Sequence, residues 1–211
     1  MTTGYFISFE GNDGAGKSTQ ARFLAQRLEQ CGYPVLLTRE PGGSPVAEQI
    51  RAILLSNENT DMTDVTEALL YAAARAQHVR DVIIPGLKAG KIVISDRFVD
   101  SSIAYQGAGR ELGIETVRQM NAPAVANVMP DVTVFLELSP EDAEKRQHAR
   151  TRDRLELAGA AFHRRVDSAY QEMIAAEPGR FLVIRATGEK QETAQKVYQS
   201  VMERLHRDGI L

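Results

Sequence analysis

The chain holds one cysteine, Cys31, in 211 residues, so no disulfide can close within it. Excess positive charge is also lacking: 25 Lys and Arg stand against 28 Asp and Glu, a formal net charge of −3. A surface that coats DNA or RNA needs the opposite balance, which argues against a nucleic-acid partner. No apolar run reaches the ~18 residues needed to cross a bilayer. The opening residues Met1–Gly11 carry no basic segment of the kind that starts a secretion signal. These absences read as a cytoplasmic protein with no membrane partner. Internal repeats and low-complexity linkers are missing too, and the length suits a single domain over 1–211 with a sizeable core. Cys31 follows Leu24 and Leu28 at helical spacing, which predicts packing rather than a reactive thiol.

What is present alternates in kind. Short apolar runs at Tyr5–Phe9, Val35–Thr38, Lys91–Ser95, Val132–Leu138 and Phe181–Ile184 read as strands buried on both faces. Between them, apolar residues three or four apart predict helices at Lys17–Gln30, Pro45–Leu55, Val65–Ala89 and Pro140–Arg150, with a last one at Glu192–Arg207. Ser139-Pro140-Glu141-Asp142 has the form of a helix start, with a capping serine, proline at the first position and an acid three residues after the cap. The alternation predicts an α/β fold, a parallel sheet covered by helices on both faces.

Gly11-Asn12-Asp13-Gly14-Ala15-Gly16-Lys17-Ser18, followed by Thr19, fits G-x-x-x-x-G-K-[ST] at every fixed position. It lies between a predicted strand and a predicted helix, the context that the motif requires. Its glycines let backbone N–H groups turn inward onto phosphate oxygens, and the helix N-terminus adds positive potential. Lys17 is expected at the β- and γ-phosphates of ATP, and Ser18 at Mg²⁺. A dinucleotide fingerprint is excluded because Thr19 stands at its last glycine. No Asn-Lys-x-Asp sequence occurs, which argues against a guanine-reading switch.

The strand Ile92–Ser95 ends in Asp96-Arg97. A carboxylate there holds Mg²⁺ beside the loop serine in phosphate-loop enzymes, so Asp96 is the second metal candidate. Arg97 is placed to bridge a donor and an acceptor phosphate. Arg39 ends the second strand in the same way, and Arg51 and Arg75 add cations on following helices. Hydrolysis alone does not need these arginines; a second phosphorylated ligand explains them. Arg146, Arg150, Arg152 and Arg154 crowd a further segment that reads as an anion-binding lid over about 147–157.

Three blocks together resemble the thymidylate (dTMP) kinase family. They are Asp96-Arg97-Phe98-Val99-Asp100-Ser101-Ser102-Ile103-Ala104-Tyr105-Gln106-Gly107, Thr38-Arg39-Glu40-Pro41-Gly42-Gly43, and the helix from Leu69 to His78. They occur in family order and spacing from about residue 5 to residue 185. The resemblance implies five parallel strands with flanking helices, a homodimer, and transfer of the γ-phosphoryl group of ATP to dTMP in dTTP supply. Carried over by position, Arg39 and Arg97 bind the dTMP phosphate, Asp13 accepts from the sugar 3′-hydroxyl, and Tyr71 stacks on thymine. Arg75 and Ser102 read the base edge with Arg51 and Gln106 nearby, and Tyr105 crowds a ribose 2′-hydroxyl. The phosphate loop has no arginine, as in family members whose catalytic cations lie on the lid; Arg150, Arg152 and Arg154 are the candidates. His78 matches its block in a structural role. Two rival readings remain: a deoxynucleoside kinase, which needs a base carboxylate and no paired phosphate arginines, and a nucleotide-binding module without chemistry.

Overall fold

The computed structural model describes residues 4–138, 154–155, 158–186 and 189–211. Five strands, β1 (Tyr5–Glu10), β2 (Val35–Arg39), β3 (Ile92–Asp96), β4 (Val132–Glu137) and β5 (Phe181–Arg185), form one parallel sheet in the order β2-β3-β1-β4-β5. Every residue of β1 is buried, whereas the edge strands β2 and β5 are partly exposed. This is why the central strands read as nearly continuous apolar runs, broken only by the buried hydroxyls of Ser8, Ser95 and Thr133.

Helix α1 (Lys17–Gln30) follows β1, α2 (Pro45–Leu55) and α3 (Asp64–His78) follow β2, and α4 (Ile84–Lys88) leads into β3. After β3 come α5 (Val99–Ser102) and α6 (Ile114–Val125); α7 (Ala160–Ala176) precedes β5 and α8 (Lys190–Arg207) follows it. Side chains alternate across the sheet. Tyr5, Ile7 and Phe9 pack with Leu24 and Leu28 of α1 and Val197, Val201 and Leu205 of α8. Phe6 points the other way, into a layer with Phe98, Phe135, Phe162 and Tyr170. Each such side chain taken out of water contributes about 1.5–3 kcal/mol, so both faces of the sheet are secured by burial.

Three expectations change. The helix predicted over Val65–Ala89 is interrupted by a π-helical turn, Val79–Ile83, between α3 and α4. Pro85 has no N–H and its ring would strike the carbonyl four residues back, so the wider turn before it relieves the clash. Cys31 is exposed rather than packed: α1 stops at Gln30, Gly32 takes φ 88°, and the thiol falls off the apolar stripe, 3.5 Å from the Tyr198 hydroxyl. Helices α6 and α7 were not expected. In α7 the apolar residues recur at helical spacing, with Phe162, Val166, Ala169, Tyr170 and Met173 buried. The helix start at Ser139 and nearly all of the segment 147–157 lie outside the described residues. Among the described residues no helix is long and apolar enough to cross a membrane.

The register delivers the site. Phe9 and Arg39 both pair with Asp96, so the carboxyl ends of β1, β3 and β2 lie side by side. The chain skips β3 on its way from β1 to β2, which leaves a crevice at those strand ends.

Candidate active site

The loop from Gly11 to Ser18 runs from the end of β1 into the first turn of α1. Gly11 has φ 133°, and a Cβ there would sit 2.5 Å from the Leu136 carbonyl, so a side chain is excluded on two counts. Lys17 folds back over the loop and donates to the carbonyls of Gly11 (2.9 Å) and Asn12 (2.8 Å). Burial, and after it the Arg97 charge, bring its ammonium down to about 8 against the pull of Asp13, Asp96 and Glu10. The Ser18 hydroxyl donates to Asp96 Oδ2 at 2.5 Å, which places both metal candidates together.

A cleft of about 880 Å³ opens beside this loop. Its phosphate-loop wall carries Asp13, Gly14, Gly16, Lys17, Ser18 and Thr19, with Asp96 at the floor. Its other walls carry Arg39 and Arg51, Tyr71 and Arg75 of α3, and Arg97, Ser102, Tyr105 and Gln106. The cleft therefore gathers most of the residues the sequence singles out. Gly11, Asn12 and Ala15 shape the loop without lining the cleft. Arg150 and Arg152 are outside the described residues. Arg154 stands apart from the cleft lining, ion-paired with Glu67 at 2.5 Å.

Arg97 is the hinge between the two halves. It adopts φ 73°, a left-handed conformation that costs a non-glycine residue about 1–3 kcal/mol. Local bonds hold it there: its N–H donates to the Phe9 carbonyl (2.9 Å), and the Ser95 hydroxyl donates to its carbonyl (2.7 Å). The turn aims its guanidinium at Asp13, with which it pairs closely, and at the Ser101 hydroxyl (3.0 Å). Tyr105 donates to the second Asp13 oxygen at 3.0 Å and lies under the Arg97 guanidinium. Burial pushes the Asp13 carboxyl up, but Arg97 and then Lys17 pull it further down, so it is ionised at neutral pH.

Arg75 has the largest of the fully buried side chains. It donates to Glu40 (2.8 Å), to Ser102 Oγ (3.0 Å), to Asn121 and to the Phe98 carbonyl (3.2 Å). Four of the five guanidinium N–H groups are thus engaged among the described residues, leaving one Nη2 hydrogen at the cleft. The predicted structural role of His78 holds: its ring is clamped between Thr38 (2.7 Å) and Glu40 (2.9 Å). Arg39 is half exposed and lies on Glu48, both carboxylate oxygens at 2.9 Å from Nη2, while Arg51 donates to the Pro41 carbonyl at 2.7 Å.

Sequence reasoning missed the carboxylates beneath these cations. Glu10, the last residue of β1, is fully buried and accepts from the Phe98 N–H (2.8 Å), Ser101 Oγ (2.6 Å) and Tyr170 Oη (2.8 Å). It fixes the turn that carries Arg97. Its only sequence signal is a charge closing an otherwise apolar strand. Burial, and next the Asp100 charge, push the Glu10 carboxyl up to about 7. The folded state then keeps a proton that the unfolded chain, with a carboxyl near 4.3, has lost. The stability from Glu10 is full below that value and disappears as pH rises through about 7. Glu10→Gln is expected to flatten the fall in Tm between about pH 4 and 7 relative to the parent. Parallel Tm–pH curves for the two proteins would contradict this.

A phosphate loop between the central strand and first helix of a sheet ordered β2-β3-β1-β4-β5 defines a nucleotide-binding protein of the P-loop NTPase fold. Within that class, the chain belongs to the thymidylate kinase family, whose model, described as thymidylate kinase, matches residues 9–197. It is similar to the thymidylate kinase of Bacillus pumilus, 44% identical over 211 residues that cover 99% of this chain and 100% of the relative. It is also similar to that of Lactobacillus delbrueckii subsp. bulgaricus, 50% identical over 202 residues and 94% of each chain. A crystal structure of thymidylate kinase from Ehrlichia chaffeensis superposes with a TM-score of 0.77 at 31% identity, covering 94% of this chain and 98% of that one.

Proposed function

We propose that this protein transfers the γ-phosphoryl group of ATP to dTMP, giving dTDP and ADP. One observation carries the reading: Arg97 reaches back to Asp13 inside the phosphate loop, so a single cleft has a donor wall and an acceptor wall joined at that pair. ATP phosphates lie along Gly11–Thr19, with Lys17 at the β- and γ-phosphates. Arg39 and Arg97 bind the acceptor phosphate, Arg39 leaving Glu48 to do so. Asp13 accepts from the sugar 3′-hydroxyl, and Tyr71 packs on thymine with Arg51 and Gln106 bordering it. The spare Nη2 hydrogen of Arg75, next to Ser102, meets the base edge. Tyr105, held by Asp13 and Arg97, occupies the space a ribose 2′-hydroxyl would need.

The acceptor is a phosphate oxygen with a second pKa of ~6, already ionised at neutral pH. It needs no general base, and among the described residues lining the cleft there is no histidine. Catalysis rests on alignment and on cations facing the charge that develops in transfer. Ser18 and Asp96 give adjacent oxygen donors of the kind that suits Mg²⁺, which keeps water and phosphate for its other positions. That ion neutralises phosphate charge when bound. No three His, Cys, Asp or Glu side chains cluster as a self-contained metal site among the described residues, and such an ion needs none. Arg150 and Arg152 are the proposed lid cations.

The whole chain, 1–211, is proposed to act as one kinase domain in the cytoplasm, where both nucleotides are held. It is proposed to pair as a homodimer. Val46 and Ile53 on α2 and Val65 and Leu69 on α3 are 46–51% exposed on two helices packed together, an apolar face suited to a second copy. Sedimentation equilibrium is expected to give twice the chain mass; a monomer at micromolar concentration would refute the pairing.

The function is tested by coupled ADP release with ATP, Mg²⁺ and a panel of acceptors. The expected order is dTMP, then dUMP, then UMP, with thymidine inert. A pocket that fits the thymine methyl separates dTMP from dUMP by only ~1–3 kcal/mol. Thymidine outrunning dTMP would favour a nucleoside kinase, and equal rates with UMP would remove the Tyr105 role.

A further inference from the structure

Glu67 takes no part in the chemistry above, yet its carboxylate is fully buried. It lies on α3, one turn before Tyr71 and two before Arg75, on the face turned toward the cleft. It accepts from Gln106 Nε2 (2.9 Å), from Arg110 Nη2 (3.0 Å) and Nε (3.3 Å), and it pairs with Arg154 Nη2 at 2.5 Å. One buried negative charge thus holds two arginines from different parts of the chain. Arg110 closes the π-helical stretch Ile103–Gly109 that carries Tyr105 and Gln106. Arg154 adjoins Leu155, which is buried in the core and lines the cleft. The aromatic layer repeats the connection: Phe162 of α7 lies against Tyr105, ring centroids 6.0 Å apart, and under the Arg110 guanidinium at 5.0 Å.

We infer that Glu67 is a positioning residue for the acceptor end of the cleft, holding Gln106 on one side and Arg154 on the other. On this account Arg154 acts through Glu67 and never touches a phosphate, unlike the role its place in the arginine-rich segment suggests. The inference rests on the dTMP reading of the cleft. The physical reason is the cost of a charge kept from water. A buried ion pair loses more when one partner is removed than the pair contributes as a whole, because the remaining charge is left uncompensated. Without Glu67, Arg154 loses its carboxylate partner, Arg110 keeps only the half-exposed Asp64 at 3.3 Å, and Gln106 loses the acceptor that orients its amide. Without Arg154, Leu155 loses the neighbouring ion pair that helps to seat it at the cleft. Both changes loosen the wall where the acceptor lies and leave Gly11–Ser18, on the opposite wall, in place.

The test uses full-length Glu67→Gln, Arg154→Met, Arg154→Lys and the double variant Glu67→Gln/Arg154→Met, measuring KM for each nucleotide and kcat separately. Glu67→Gln and Arg154→Met are each expected to raise KM for dTMP about 10-fold while KM for ATP stays within about twofold. The double variant should be little worse than either single one, because both break the same contact. Arg154→Lys, which keeps the charge, should recover part of the dTMP affinity. Arg154→Met lowering kcat and raising KM for ATP, with Glu67→Gln near normal, would overturn the inference, since that is how a phosphate-contacting cation behaves. If Glu67→Gln does not fold, the KM split in Arg154→Met decides alone. A parent protein that does not phosphorylate dTMP refutes the functional reading; an active parent whose variants keep their KM for dTMP refutes only this role.

Discussion

Replacing Lys17 with alanine is expected to lower kcat by about 10³-fold and to leave the protein folded. Lys17 is buried, and its hydrogen-bond partners are carbonyls of the loop itself. Its pKa of about 8, lowered first by burial and then by Arg97, means that the charged form is disfavoured in the ligand-free fold. The sign follows from linkage. Between about 8 and the ordinary lysine value near 10.4 the unfolded chain binds the proton that the folded chain releases, so stability rises with pH there. Below about 8 the folded protein carries that ammonium at a cost. Alanine removes the cost along with two hydrogen bonds, and these opposing effects keep Tm within a few degrees of the parent. The lost cation is felt only when γ-phosphoryl charge develops against an empty position. A variant with near-normal kcat would remove Lys17 from the mechanism, and a collapse of Tm would show that its role in the loop is structural.

Arg97→Ala is the second large effect, expected at about 10³-fold in kcat with weaker dTMP binding, because a transition-state arginine is worth 10³–10⁵ in phosphoryl transfer. The residue is embedded in contacts that make it directional. Its backbone is turned by β1 and Ser95, and its side chain is aimed by Asp13, Ser101 and Tyr105. Alanine removes the phosphate bridge and also the main counter-charge of Asp13, whose carboxyl then has mainly Lys17 against its burial. Arg97→Lys should recover little, since a point ammonium cannot reproduce the paired N–H fork. Turnover is read by ADP release and folding by calorimetry. A folded Arg97→Ala variant with near-normal turnover would leave the acceptor phosphate without its proposed partner.

Sequence and structure agree where the information is contiguous. The phosphate loop is legible because eight consecutive positions must satisfy one geometry, and β1, β3 and β4 are legible because burial on both faces leaves each with a single small hydroxyl, Ser8, Ser95 or Thr133, among apolar residues before its closing acid. Asp13, Arg39, Asp96 and Arg97 are legible because each ends or directly follows a strand or sits in that loop. What escapes is the charge beneath the surface. Glu10, Glu40 and Glu67 are ordinary acids in sequence, and only the fold shows that each is buried under an arginine or a hydroxyl cluster. Each lies near a residue with a sequence signal of its own: Glu10 before Gly11, Glu40 after Arg39, Glu67 one turn before Tyr71. The π-helical stretches escape for another reason. They break the 3.6-residue period that a helix reading assumes, and only Pro85 and the Gly107 and Gly109 pair hint at them. Arg154 is a position whose contact the sequence does not show: its segment groups it with Arg150 and Arg152, and in the fold it lies on Glu67.

The central claim, that one cleft moves a phosphoryl group between two nucleotides, is tested most directly by following the label from [γ-³²P]ATP in the presence of Mg²⁺ and dTMP. Label is expected to leave ATP and appear in dTDP in equal amount, with little inorganic phosphate while dTMP lasts. Label released as inorganic phosphate, with no dTDP formed, would contradict it.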